Sequence, residues 1–204
     1  MATTPEVEFF YDCSSPWTYF AFTRIIPLME QLELPIRWRP ILVGGVFNAV
    51  NQQVYSAREA MFNNSNSRRL NYYIKDMQDW ARLCGVRAEM PAGHPINSVK
   101  AMRGCLLLDA EGKLVPFASA VFEAYWTHDR DISQDAVLAD LCASVGVEPA
   151  RFLEGIARPD IKAKLKANTD EVIARGGFGS PTIFVGGDDM YFGNDRLDLV
   201  RDAV

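Results

Sequence analysis

The chain has 204 residues, and its 21 Lys and Arg against 26 Asp and Glu give a formal net charge of −5. This length fits one domain, or one domain that carries a large insertion. With 49% hydrophobic and 23% charged residues, the composition is that of a globular protein and excludes a disordered or fibrous chain. The acidic balance argues against binding of nucleic acid, which usually requires a basic face.

No segment approaches the ~20 apolar residues of a membrane span. Residues 1–6 lack the basic and apolar regions of a secretory signal, so we expect a cytoplasmic protein that binds no membrane. The chain has no Cys-x-x-Cys pair, and scattered cysteines in a reducing compartment are expected to be free core thiols. A zinc site is not expected either, because neither histidine stands at ligand spacing from a cysteine. The cysteines are Cys13, Cys84, Cys105 and Cys142.

The first forty residues predict a strand, a helix and a second strand. Residues 7–11 are rich in strand formers, and residues 36–39 resemble them. Between these strands, the apolar segment 17–26 predicts a buried helix that kinks or ends near Pro27. This order favours a parallel βαβ unit with a right-handed crossover.

The remainder predicts helices first and strands only near the end. Over residues 55–153 apolar side chains recur at spacings of three and four, which indicates several helices. After a glycine-rich turn, residues 181–185 and 190–192 predict two strands joined by a Gly-Gly-Asp hairpin turn. Asn194 or Asp195 is then expected to cap a short last helix.

The predicted order, βαβ followed by a helical block and then αββα, resembles a thioredoxin-like α/β fold with an all-helical insertion, as in DsbA-like proteins. By this analogy residues 1–50 and 160–204 form the thioredoxin-like domain. Residues 51–159 then form the helical insertion domain. The fold by itself does not give a function.

In thioredoxin-like proteins the reactive group lies at the N-terminus of the first helix, where free N–H groups and the helix dipole stabilise an anion. Redox relatives carry Cys-Pro-x-Cys there, whereas residues 15–18 of this chain are Ser-Pro-Trp-Thr, so dithiol exchange is not expected. Cys13 lies two residues too early and has no partner at the exchange spacing. Ser15 has no adjacent base to make it a nucleophile, but its hydroxyl suits a donor to the thiolate of a bound molecule. Ser14 or Ser15 can equally be only a helix N-cap.

Several segments together resemble a known enzyme family. Residues 11–19 and 39–47 resemble the 2-hydroxychromene-2-carboxylate isomerases and the related kappa-class glutathione transferases. Residues 95–98 with 101–103, and residues 120–126, are closer to the isomerase branch, and residues 167–181 and 192–197 are similar to both branches. The resemblance covers nearly the whole chain.

The resemblance implies a glutathione site. Ser15 would donate its hydroxyl to the sulfur of glutathione and so act as the catalytic residue. Pro181 would be a cis proline, and the backbone of Ser180 would pair with the peptide part of glutathione. Asn194 and Asp195 would hold the γ-glutamyl end, although plain helix capping explains this pair as well.

The resemblance also indicates candidates for contact with a second substrate. Asn51 matches a family position that contacts substrate, and Asn97 is a second candidate that could instead form an Asx turn. Arg58 heads a group of cations that could pair with an anionic substrate or remain solvated on the surface. The others in this group are Arg68, Arg69, Lys100 and Arg103. His94 and His128 are both expected to be exposed.

The implied function is that of a homodimeric, glutathione-dependent isomerase. It would interconvert 2-hydroxychromene-2-carboxylate-type and trans-o-hydroxybenzylidenepyruvate-type compounds by reversible addition of a thiolate to an enone. A kappa-class-like transferase that conjugates electrophiles is the main alternative, followed by a DsbA-like thiol oxidoreductase and a non-catalytic glutathione-binding protein. Residues 52–71 depart from the family pattern and are expected to line the substrate pocket, so the substrate stays open.

Overall fold

The computed structural model describes residues 5–62, 64 and 67–204, without the side chains of Tyr55, Arg58 and Glu59. None of the helices in this part of the chain is long and apolar enough to cross a bilayer. The described elements run in the order β1 (Val7–Tyr11), α1 (Pro16–Gln31), β2 (Ile36–Pro40), α2 (Val43–Val50), α3 (Gln52–Phe62), α4 (Arg68–Leu83), α5 (Val99–Asp109), α6 (Leu114–Trp126), α7 (Asp135–Ser144), α8 (Pro149–Ala157), α9 (Pro159–Ala174), β3 (Thr182–Val185), β4 (Asp189–Phe192), a 3₁₀ turn (Asn194–Arg196) and α10 (Leu197–Ala203).

The described strands form one mixed sheet in the order β2-β1-β3-β4. Strand β2 pairs parallel to β1, with Val7 opposite Ile36, so the predicted βαβ unit is confirmed. Strand β3 pairs antiparallel to β1, and β4 pairs antiparallel to β3, as the predicted hairpin requires. This sheet and its helices confirm the DsbA-like thioredoxin fold.

The central strand β1 is buried along its whole length because helices cover both faces of the sheet. Its odd-numbered side chains, Val7, Phe9 and Tyr11, belong to the larger core that includes α1 and the helices from α4 onward. On the other face Phe10 packs in a smaller core with Phe184, and their ring centroids lie 5.6 Å apart in an edge-on arrangement.

An ion network lies on the same face as the smaller core. The buried Glu8 carboxylate receives Arg175 Nη1 at 2.7 Å and lies 3.6 Å from Arg39 Nη1. Glu171 of α9 pairs with both arginines. Paired in this way, the buried charges avoid most of the penalty of an isolated buried charge, and they hold α9 against the sheet.

Helix α1 is longer than the sequence predicts. Its start agrees with the prediction, because Ser15 is the N-cap and Pro16 the first helical residue. However, the helix does not end near Pro27 but continues to Gln31. Pro27 lies on the exposed side, so water can reach the carbonyl that loses its N–H partner one turn earlier.

The predicted cap of the last helix is wrong. Asn194 begins the 3₁₀ turn, α10 starts only at Leu197, and neither Asn194 nor Asp195 makes a side-chain capping bond to either element. Gly193 precedes the turn with a φ of 104°, a conformation that favours glycine. Because the chain turns at Gly193, Asn194 and Asp195 enter the 3₁₀ turn and do not precede α10 as capping residues.

The Gly104→Ala variant tests the packing between α5, α6 and α8. A Cβ at Gly104 would lie 2.6 Å from Phe152 and 2.7 Å from Phe117, and both rings are fully buried. We expect overpacking to lower the free energy of unfolding by about 1–3 kcal/mol in urea denaturation. Gly44→Ala is the matched control, since a Cβ there meets no atom of the described residues within 4 Å. Equal stability of the two variants would contradict this packing.

Candidate active site

Ser15 lies at the N-terminus of α1, in the wall of a cavity of about 530 Å³. Its Oγ accepts a hydrogen bond from the Thr18 N–H at 3.3 Å and donates to the Ser180 carbonyl at 3.1 Å. The side chain is only 8% exposed. A hydroxyl held at the positive end of a helix dipole can donate to an anion that enters the cavity.

The Ser180–Pro181 peptide bond is cis, as the resemblance implies for Pro181. Ser180 meets the start of α1 through its side chain as well as its backbone. Its Oγ accepts from the Asp12 N–H at 2.9 Å and lies 2.8 Å from Thr18 Oγ1. Thr18 occupies the position of the second cysteine in redox relatives, so hydroxyl groups stand where a dithiol would be.

The carboxylate of Asp12 links the loops around the cavity. One oxygen accepts the Ser14 N–H and hydroxyl, each at 2.9 Å. The other accepts the Val43 N–H at 2.9 Å and the Ser98 hydroxyl at 3.0 Å. Burial raises the pKa of Asp12, and these four hydrogen bonds oppose that rise.

The cavity lies between the carboxyl end of β1 and the helical part of the chain. Apolar side chains of Leu42, Val43 and Phe47 line one side, and Phe62 of α3 lines another. Phe62 belongs to the segment that departs from the family pattern, and it does line the pocket as expected. Among the described lining residues, only Asp12 and His94 are ionisable. Such walls suit an aromatic ring with a few polar groups.

His94 is not exposed as predicted. It is half-buried and lines the same cavity as Ser15. Its Nδ1 lies 2.9 Å from the Tyr125 hydroxyl, and its ring packs against Phe62 and Trp126 at centroid distances of 5.5 and 5.6 Å. His128 does lie at the surface, beside Glu123.

The two candidate asparagines have different positions. Asn51 is not among the described lining residues; its Nδ2 donates to the Phe178 carbonyl at 3.2 Å and so supports the turn before Ser180. Asn97 does line the cavity. Its Oδ1 accepts the Val99 N–H at 3.1 Å, which is the Asx-type bond that the sequence also allowed.

The candidate cations do not line the described part of the cavity. The side chain of Arg58 lies outside the described residues. Lys100 pairs with Asp135 at 2.7 Å, at the outer surface. The remaining three, Arg68, Arg69 and Arg103, are likewise not among the described lining residues.

Asn194 lies close to the cis proline, because the neighbouring Gly193 N–H donates to the Pro181 carbonyl at 3.2 Å. The Asn194 side chain is only 5% exposed, and its Nδ2 is buried without a partner among the described residues. Its carbonyl accepts from Arg24 at 2.9 Å, which fixes the turn to α1. Asp195 is exposed and pairs with Arg196 at 3.1 Å.

The four cysteines are free, as predicted. Burial raises the pKa of every one of these thiols, in the case of Cys105 to about 12. None belongs to the described lining of the cavity. The chain therefore does not offer one of its own thiolates as the nucleophile of this site.

Fold and site together define a thioredoxin-like protein in which hydroxyl groups replace the redox cysteines. A family model described as the DSBA-like thioredoxin domain matches residues 6–204, and the chain belongs to that family.

Individual relatives are more specific. Over 198 residues the chain is 28% identical to the 2-hydroxychromene-2-carboxylate isomerase of Pseudomonas putida, covering 97% of this chain and 93% of the relative. It is 25% identical to glutathione S-transferase kappa 1 of Rattus norvegicus, covering 98% and 91%. A solved structure of a 2-hydroxychromene-2-carboxylate isomerase matches with a TM-score of 0.78 and 28% identity, covering 97% and 93%.

The Asp12→Asn variant tests the buried carboxylate. Because burial raises the pKa of Asp12 above its unfolded value, the folded state binds the proton more tightly. Protonation of Asp12 therefore adds stability that is fully present below the unfolded pKa of ~3.9 and is lost as pH rises through the folded pKa. Asparagine does not titrate. We expect the stability of the wild type relative to the variant to increase on acidification, measured by denaturant unfolding across this pH range. A decrease would mean that the hydrogen bonds outweigh burial.

Proposed function

We propose that the protein is a glutathione-dependent isomerase that interconverts 2-hydroxychromene-2-carboxylate-type and trans-o-hydroxybenzylidenepyruvate-type compounds. The observation that carries this proposal is the hydroxyl of Ser15 at the N-terminus of α1, beside the Ser180 backbone and inside the cavity. The similarity to isomerases over nearly the whole chain supports the choice of reaction. The proposal includes a cytoplasmic homodimer.

The residues present fit glutathione. The α1 N-terminus suits a thiolate, and the backbone beside the cis Pro181 suits an extended peptide. The buried, unpartnered Nδ2 of Asn194 is a donor that a carboxylate would satisfy, and the Asp195 carboxylate suits an ammonium group. When bound, glutathione supplies a thiolate that adds reversibly to the conjugated double bond of an enone and is recovered unchanged.

Ser15 contributes by stabilising negative charge on sulfur. Its hydroxyl proton points at the Ser180 carbonyl and turns to the sulfur by rotation about a single bond. The hydrogen bond and the helix dipole then act on the same atom. Thr18 and Asp12 hold Ser180 through its side chain, so the loop opposite Ser15 keeps its position. The apolar walls formed by Leu42, Phe47 and Phe62 orient an aromatic substrate against the thiolate.

A kappa-class-like transferase is the second candidate, favoured by the 25% identity to glutathione S-transferase kappa 1. The two activities differ in the fate of glutathione, which the isomerase recovers and the transferase consumes. A DsbA-like oxidoreductase is disfavoured because residues 15 and 18 carry hydroxyls in place of thiols.

The Ser15→Ala variant tests the proposed function. Loss of a preorganised donor to a developing charge typically costs ~10²–10³ in kcat, so we expect glutathione-dependent equilibration of the two isomers to fall at least ~10²-fold. The reaction is followed by absorbance with and without glutathione. Ser119→Ala is the matched control, because Ser119 is exposed on α6 and bonds only its own helix.

Two outcomes would contradict the proposal. Wild-type turnover that does not depend on glutathione would remove its role. Accumulation of a thioether with stoichiometric loss of glutathione would establish the transferase instead.

The Asn194→Ala variant tests the γ-glutamyl subsite. We expect KM for glutathione to rise about tenfold with kcat nearly unchanged, because the lost hydrogen bond to a charged group acts in both ground and transition states. Stability should change little, since Nδ2 has no partner in the described part of the chain to lose. Asn71→Ala, at an exposed position of α4, is the control. An unchanged KM for glutathione would exclude Asn194 from the site.

A further inference from the structure

The described wall of the cavity is short of positive charge. It holds no Lys or Arg side chain, and of its two ionisable residues Asp12 is an acid already engaged by four donors. The proposed substrates carry a carboxylate, which needs a donor when it leaves water. His94 is the ionisable side chain in this wall that can provide one.

The Tyr125 hydroxyl determines which nitrogen of His94 carries the proton. Tyr125 is 1% exposed, and burial raises its pKa, so it stays a protonated phenol. A buried O–H requires an acceptor, and His94 Nδ1 lies 2.9 Å away. If Nδ1 accepts, the neutral ring carries its proton on Nε2.

The surroundings of the ring indicate which edge faces the cavity. Tyr125 and Trp126 are both fully buried in the core; His94 Nδ1 is directed at the Tyr125 hydroxyl, and the His94 ring packs against Trp126. His94 also lines the cavity, and since Nδ1 is directed at Tyr125, the side of the ring that carries Nε2 is directed away from that core residue. Phe62 packs edge-on against the same ring and limits its rotation.

We infer that His94 is the specificity-determining residue that binds the carboxylate of the second substrate through Nε2–H, with Tyr125 as the positioning residue that fixes the tautomer. This inference rests on the proposed function for the identity of the substrate. The contact lies on the cavity wall formed by residues 94–99. This wall is separate from Ser15 and Ser180, which belong to the proposed glutathione site. Recognition is then split between two walls, with sulfur held at Ser15 and the carboxylate at His94.

The test is direct binding, without glutathione, of trans-o-hydroxybenzylidenepyruvate and of its uncharged methyl ester, measured by isothermal titration calorimetry. His94→Asn places no group where Nε2 stood, so we expect the acid to bind about tenfold more weakly and the ester to bind as before. His94→Gln keeps an amide N–H near that point and should retain acid binding within about threefold of wild type. His128→Asn is the control for loss of an exposed histidine.

Steady-state kinetics and Tyr125→Phe supply further readouts. In His94→Asn, KM for the acid should rise while KM for glutathione stays constant. Tyr125→Phe should weaken acid binding less than His94→Asn does, because the ring remains but its tautomer is no longer fixed.

Outcomes for the two proposals are separable. Histidine-dependent preference for the acid without any glutathione-dependent turnover would reject the proposed reaction and keep the role of His94. Equal binding of acid and ester by the wild type would overturn the inference about His94. The same preference in His94→Asn as in wild type would also overturn it and would assign the carboxylate to another donor of the cavity wall.

Discussion

The Asp12 carboxylate holds together three of the segments that form the cavity. Its four partners are all donors, and they come from the start of α1, the first turn of α2 and the residue before α5. A carboxylate accepts hydrogen bonds at both oxygens. The amide of an asparagine would place an NH2 group, itself a donor, against two of these four donors. The Asp12 N–H is in turn bound by Ser180 Oγ. The acid thus joins segments far apart in the chain at the point where Ser15 must be held still.

Much of the fold could be predicted because its signals are local. Strand formers at residues 7–11 gave β1 with the bounds that the structure shows, and a serine followed by proline marked the start of α1. Ser15 and Thr18, in place of the two cysteines of redox relatives, predict a site without dithiol exchange. In each case a residue and its immediate neighbours determine the outcome.

The errors concern residues whose surroundings come from distant parts of the chain. His94 stands in a Pro-Gly turn that looks exposed, but Tyr125 of α6 and Phe62 of α3 pack around it. Asparagine is a residue type typical of helix caps. However, Gly193 adopts a positive φ and donates its N–H to the Pro181 carbonyl, and this places Asn194 in a 3₁₀ turn. Asn51 also has a distant partner, the Phe178 carbonyl before Ser180, and its contact with substrate stays a prediction. No short-range pattern contains these contacts.

The raised thiol pKa values also bear on how the protein withstands oxidants. Peroxides attack thiolates, and each of the four thiols is kept protonated by burial. At position 15 a serine hydroxyl cannot form a sulfenic or sulfinic acid. If the reactive sulfur belongs to a bound thiol that exchanges with free thiol in solution, an oxidised ligand dissociates and a reduced one replaces it. Under oxidative stress, depletion of the reduced thiol ligand would therefore limit the activity of such an enzyme before oxidation of its own active-site residues did.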